Sequence, residues 1–148
     1  MHASVGWALP TLRLISTTKD KKDSVNHVIA IAIGGAAGSV LRYWMSTGVY
    51  SLLGRAFPYG TLAVNVLGSL LMGALFVLFV ERLSSDDVWR AAILVGVLGG
   101  FTTFSAFSME TFNLIEEGAL LKAVLNMSAS LVLCIGATWA GVILGRQL

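Results

Sequence analysis

Four long apolar stretches separated by short polar ones set out the plan of this chain. The first is free of charge from Val28 to Leu41 and continues past Arg42 to about Tyr50. The second covers Tyr59 to Val80, and the third runs from Ala91 through Met109 to about residue 115. The fourth covers Ala123 to Gly145. A helix needs about 20 mostly apolar residues to cross hydrocarbon. The pattern therefore predicts four transmembrane helices, over about residues 28–50, 59–80, 91–115 and 123–145. Ser51–Pro58, Glu81–Arg90 and the Glu116-Glu117-Gly118 region connect them. Links this short imply an up-down-up-down arrangement with both ends on one side.

The third stretch is the irregular one. Its centre reads Gly96-Val97-Leu98-Gly99-Gly100-Phe101-Thr102-Thr103-Phe104-Ser105-Ala106-Phe107. Paired glycines and paired threonines lower helix preference, by up to about 1 kcal/mol per Gly relative to Ala. A break at membrane depth is expected there, and the backbone groups it frees need protein, water or an ion as partner. Phe104 and Phe107 lie three apart on one helix face, with the hydroxyls of Thr103 and Ser105 close by. This stretch reads as the working part of an ion pathway.

Composition agrees with a bilayer as solvent. The 148 residues are 56% hydrophobic and only 12% charged, with a mean hydropathy of +0.81, and a water-soluble chain this short could not bury so much apolar surface. One domain is expected. The single Cys134 excludes an intramolecular disulfide framework, and the two histidines, His2 and His27, both lie near the N-terminus. No zinc site, catalytic triad or other enzyme chemistry is expected. A net charge of +2 without a basic run interleaved with aromatics gives no sign of nucleic acid. Residues 1–27 are polar and mixed, too poor in apolar residues for a signal peptide. They read as a disordered tail, or alternatively as the product of an over-called start codon.

Positive charges bear on orientation. Arg82, Arg90 and Arg146 fall on the side of the termini with Arg13, Lys19, Lys21 and Lys22 of the tail, against Arg42, Arg55 and Lys122 opposite. The full count favours the N-terminus inside. Without the tail the two sides are equal. A body so balanced could insert either way and form an antiparallel homodimer, or the tail alone could decide. Small residues recur at packing spacing, as Gly34 and Gly38, Ser69 and Gly73, and Ala137, Gly141 and Gly145. Such patterns let helices approach closely in lipid and need no ligand.

Several polar residues inside the spans carry two readings each. Thr61 and Asn65 are four apart on one face. Asn65 serves either as an interhelical hydrogen-bond partner or as an amide donor to an anion in transit. The rings of Phe104 and Phe107 are either core packing or positive C–H edges presented to an anion. Asn126 and Ser130 share a face of the fourth span, where Ser128 and Thr138 also lie. At least one of the serine hydroxyls, Ser128 or Ser130, is expected to bond its own i−4 carbonyl. Glu110 is either a helix-end carboxylate or a gate or proton-linked relay. Arg42 either snorkels to the interface or concentrates anions at a vestibule.

Together these residues resemble the Fluc (CrcB) family of small membrane fluoride channels. The resemblance rests on three segments. They are Gly34-Gly35-Ala36-Ala37-Gly38-Ser39-Val40-Leu41-Arg42-Tyr43, Thr61-Leu62-Ala63-Val64-Asn65-Val66-Leu67-Gly68, and Gly96 through Phe107 with Ser108-Met109-Glu110. It covers residues 28–146. The resemblance implies an all-α membrane protein with four transmembrane helices, a break in the third, and an antiparallel dual-topology homodimer with two pores. It implies passive, selective passage of fluoride out of the cytoplasm, through a cell inner or plasma membrane, with Asn65, Phe104, Phe107, Ser105, Ser130 and Thr61 along the pore. Asn126 stands where the family often has Tyr, and Ala106 where a hydroxyl is usual. A central structural sodium ion is also implied, held by backbone carbonyls of Gly99 and Thr102.

A two-fold axis through a broken helix doubles its exposed carbonyls to give oxygens for one hard cation. Fluoride is tightly hydrated, so a pore must replace its water with donors while letting the ion leave. Neutral amides, hydroxyls and ring edges suit that need. No G-x-x-x-x-G-K-[ST] motif for ATP is present. The rival is a small multidrug-type, proton-coupled exporter, which needs a membrane carboxylate. A third class is a non-transporting assembly subunit.

Overall fold

The computed structural model of the chain describes residues 18–82 and 87–148, and the regular structure among them is entirely helical. Helix α1 spans Thr18–Leu53. Helix α2, Tyr59–Phe76, passes into a π-helical end at Val77–Arg82. The third crossing is composite. It consists of α3 (Asp87–Arg90), a π-helical segment (Ala91–Leu98), α4 (Gly99–Phe101) and α5 (Phe104–Glu116). Helix α6 covers Leu120–Gln147. Four helical spans among the described residues are long and apolar enough to cross a membrane: Lys22–Leu53, Tyr59–Glu81, Asp87–Glu116 and Leu120–Gln147. The chain is an all-α membrane protein.

The expected tail lies outside the described residues as far as position 17, but residues 18–27 are helical rather than irregular. No Gly or Pro interrupts the chain between Thr18 and Ile33. Once the apolar span has nucleated a helix, each added residue costs little, and the polar residues from Lys22 to Asn26 are exposed. The turns are closed by glycine. Gly54 at φ 77° follows α1 and its amide donates to the Tyr50 carbonyl over 3.0 Å. Gly118 at φ 73° follows α5. There the amides of Gly118 and Ala119 donate to the carbonyls of Ile115 (3.0 Å) and Leu114 (2.8 Å), the paired pattern of a helix ended by a left-handed residue.

Packing divides the molecule into two seams. Helix α1 lies along the π-helical segment and α4, and α2 lies along α6. Both seams depend on missing side chains. A Cβ at Gly38 would strike the Val97 carbonyl, and one at Gly141 would strike the Leu70 carbonyl. The small-residue patterns are thus backbone-to-backbone contacts. Helix α5 makes fewer contacts, mainly with α6. Its serines, Ser105 and Ser108, are exposed, whereas Thr111 is buried against α6.

Candidate functional site

The third crossing loses its helical form at Thr102 and Thr103, three residues beyond the position expected. Gly99 and Gly100 remain helical. Thr102 (φ −75°, ψ 158°) and Thr103 (φ −152°, ψ 117°) are extended. Gly100 is held by its neighbour, since a Cβ there would press on the carbonyl of Gly35. Thr103 is held by Asn65. The Thr103 amide donates to Asn65 Oδ1 (2.8 Å), and Asn65 Nδ2 donates back to the Thr103 carbonyl (2.9 Å). This reciprocal pair satisfies both polar groups of a backbone residue that neither helix serves. It also commits one of the two N–H protons of the Asn65 amide, so Asn65 is an interhelical partner. Downstream, Thr103 Oγ1 accepts from the Ala106 amide (3.2 Å) and caps α5. The same oxygen lies 3.2 Å from Ser105 Oγ.

Two grooves of similar size flank this interruption. The first, about 600 Å³, is lined by Asn65, Thr103, Phe104, Phe107 and Ser130 among mostly apolar neighbours. The two rings are tilted at 42° with centroids 5.4 Å apart, and Phe104 is 77% exposed. The second, about 580 Å³, is lined by Arg42, Tyr50, Thr61, Thr103, Ser105 and Glu110. The expected pore residues are therefore divided. Asn65, Phe104, Phe107 and Ser130 face one groove, while Thr61 and Ser105 face the other, beside Glu110 and Arg42, the candidates for a gate or vestibule. Thr103 lines both.

Hydrogen bonds in the second groove are largely spoken for. Glu110 Oε1 accepts from the Tyr50 hydroxyl and from Thr61 Oγ1, each over 2.8 Å. Arg42 Nη1 donates to the Thr102 carbonyl over 3.2 Å. Asn126 lines neither groove. It is 1% exposed, and its Nδ2 donates to Thr111 Oγ1 (2.8 Å), which itself donates to the Phe107 carbonyl (2.7 Å). An i−4 back-bond in the fourth span is made by Thr138, to the Cys134 carbonyl, and not by Ser128 or Ser130, for which it was expected.

Tyr50 and Thr103 were not singled out as site residues by the sequence. Thr103 carried a signal, a hydroxyl beside the glycine pair. Tyr50 resembled an interfacial aromatic at a span end. As for metals, no group of three or more His, Cys, Asp or Glu side chains among the described residues could hold an ion. Two backbone carbonyls are candidates. The Thr103 amide, which would reach the Gly99 carbonyl in a continuous helix, donates to Asn65 instead. The Thr102 carbonyl has Arg42 on it and keeps a second lone pair. Gly99 is exposed.

Fold and site thus define a small multi-pass membrane protein whose third crossing is built around a clamped, extended pair of threonines with a groove on either side. Comparison with known proteins places it further. Residues 29–142 match the model of the family described as CrcB-like protein, Camphor Resistance (CrcB), and the chain belongs to that family. It is 54% identical over 123 residues to a protein of Coxiella burnetii (strain Dugway 5J108-111), covering 82% of this chain and 99% of the relative. A protein of Geobacter sulfurreducens is 50% identical over 121 residues, 82% of this chain and 98% of its own. One from Methylococcus capsulatus is 55% identical over 121 residues, and there the match spans only 53% of the relative's length. All three are named fluoride-specific ion channel FluC.

Proposed function

We infer that this chain is a fluoride-selective, passive channel that lets cytoplasmic fluoride leave down its electrochemical gradient across an inner or plasma membrane. The observation that carries the reading is the first groove. It sets the Phe104 and Phe107 rings, the Ser130 hydroxyl and the Asn65 amide beside one another with no formal charge among them. Fluoride gives up its hydration only where other donors take its place, and uncharged donors release it again. A ring edge is a weak donor of this kind. The groove is open on one side, and Phe104 at its rim is largely exposed. A second, antiparallel copy of the chain would supply the missing wall and give two pores per dimer.

In that dimer the Gly99 and Thr102 carbonyls of both copies would meet as four oxygens around one structural sodium ion. The Gly99 carbonyl released by the Asn65–Thr103 clamp supports this reading. Residues of the second groove serve the approach to the pore, with Arg42 raising the local anion concentration.

The test is fluoride efflux from liposomes holding the purified protein, read with a fluoride electrode. Loss of fluoride without an applied proton gradient is expected. Fluoride retention equal to empty vesicles overturns the reading, and exchange of a cationic drug for protons would assign the chain to the exporter class.

A further inference from the structure

Tyr50 joins parts of the molecule that the grooves alone leave separate. Its ring and Glu110 line both the second groove and a third one, of about 350 Å³, that opens among Arg55, Glu117 and Lys122. The ring is fixed from two sides. A Cβ at Gly60 would come within 2.5 Å of it, and the Arg55 guanidinium carbon stands 5.7 Å from its centroid, within cation–π range. Fixed in this way, the hydroxyl reaches Glu110 Oε1 at 2.8 Å, the same oxygen that Thr61 Oγ1 binds at 2.8 Å. Glu110 Oε2 is buried and has no hydrogen-bond partner in the chain. Two donors on one oxygen and none on the other fix the carboxylate in one orientation, although water would solvate both oxygens if the side chain turned out.

We propose that Tyr50 is a positioning residue for anion passage: its hydroxyl, delivered by a ring wedged between Gly60 and Arg55, holds the Glu110 carboxylate against the groove wall so that its charge does not turn into the anion's approach. This inference rests on the channel reading above. Tyr50 itself need not touch the ion. Released from the phenol, Glu110 would retain only Thr61. Its carboxylate, already in the wall of the groove that Arg42 also lines, could then swing further into the open space, where it would repel an anion and cancel part of the attraction of the guanidinium.

The test is Tyr50→Phe, which keeps the ring and its packing and removes only the hydroxyl. Fluoride efflux from proteoliposomes is compared with the parent at low and at high concentration of an impermeant salt. A loss of about fivefold at low salt, reduced by at least half at high salt, is expected because charge repulsion in an open groove is screened. A loss below about twofold at low salt overturns the proposal. So does a loss of equal size at both salt concentrations, which would mark a packing defect, since packing is indifferent to screening. Parent vesicles that retain fluoride would instead remove the channel reading itself, so the two failures are distinct.

Discussion

The two grooves on either side of Thr103 enclose nearly the same volume and differ in almost everything else. One is walled by Phe104, Phe107, Met72, Leu131 and Ile135, and its polar points, Asn65, Ser69, Thr102, Thr103, Ser130 and Thr138, are all uncharged. The other holds Arg42 and Glu110, charges of both signs, with the hydroxyls of Tyr50, Thr61 and Ser105. Formal charge acts at a distance and depends on salt, whereas ring edges and amides act only in contact. On the proposed reading the first groove would carry an anion stripped of water and the second would collect one. Their common wall is a backbone residue that helical hydrogen bonding leaves unserved and that one asparagine side chain completes.

The largest effect is expected where that wall is removed. Asn65→Ala leaves the amide and carbonyl of Thr103 without their partners. An unsatisfied buried polar group costs about 1–3 kcal/mol; Thr103 is half-buried between two open grooves, where water takes up part of the loss, so about 2 kcal/mol in all is expected. Both grooves lose their shared side. Fluoride efflux is expected to fall to the level of empty vesicles, with a lowered midpoint of thermal unfolding in detergent. Asn65→Asp keeps the acceptor for the Thr103 amide and loses the donor to its carbonyl. Its stability is expected to lie between the two. Equal efflux in Asn65→Ala and the parent would show that the wall is not shared in any functional sense.

A smaller loss, confined to one groove, is expected from Phe104→Ala. The exposed ring contributes little to the core, so the fold should keep its stability to within about 0.5 kcal/mol. If the proposed pore runs past this ring, its removal is expected to lower efflux by about tenfold, equivalent to about 1.4 kcal/mol of barrier, at low and high salt alike. Arg42→Gln tests the other side. Efflux is expected to drop by about threefold at low ionic strength and to recover at high salt, with Arg42→Lys nearer the parent. A salt-dependent Phe104→Ala or a salt-independent Arg42→Gln would dissolve the division between the grooves.

How much of this was legible in the sequence differs element by element. The spans follow from run length, because an apolar run of about 20 residues satisfies its own backbone in hydrocarbon only as a helix. The irregularity of the third crossing was visible in its paired glycines and threonines, but its position was not. Gly99 and Gly100 stay helical, with Gly100 in contact with Gly35 of α1. The Thr103 amide is drawn away by a side chain 38 positions earlier. The separation of Thr61 from Asn65 was illegible for a related reason. Four apart on α2, they bond different parts of the third crossing, Glu110 and Thr103. Which groove each faces depends on α5, whose direction is reset at Thr103. The partnership of Tyr50 with Glu110 spans sixty positions, and no local pattern announces it.

The smallest effect is expected at Asn126, and it sharpens the comparison by standing outside both grooves. In this chain the residue turns away from Ser130's groove and bonds Thr111 of α5, so it joins α6 to α5 one turn beyond Phe107. Asn126→Leu removes that bond at similar volume and leaves Thr111 donating to the Phe107 carbonyl. Hydrogen bonds between membrane helices are worth about 0.6 kcal/mol on average. A loss of stability of about that size is therefore expected by unfolding in mixed detergents, with efflux within about twofold of the parent. Efflux lost at unchanged stability would instead put Asn126 in the ion's path. The fourth span would then contribute two polar side chains to conduction, and the uncharged groove would extend one turn further than Ser130.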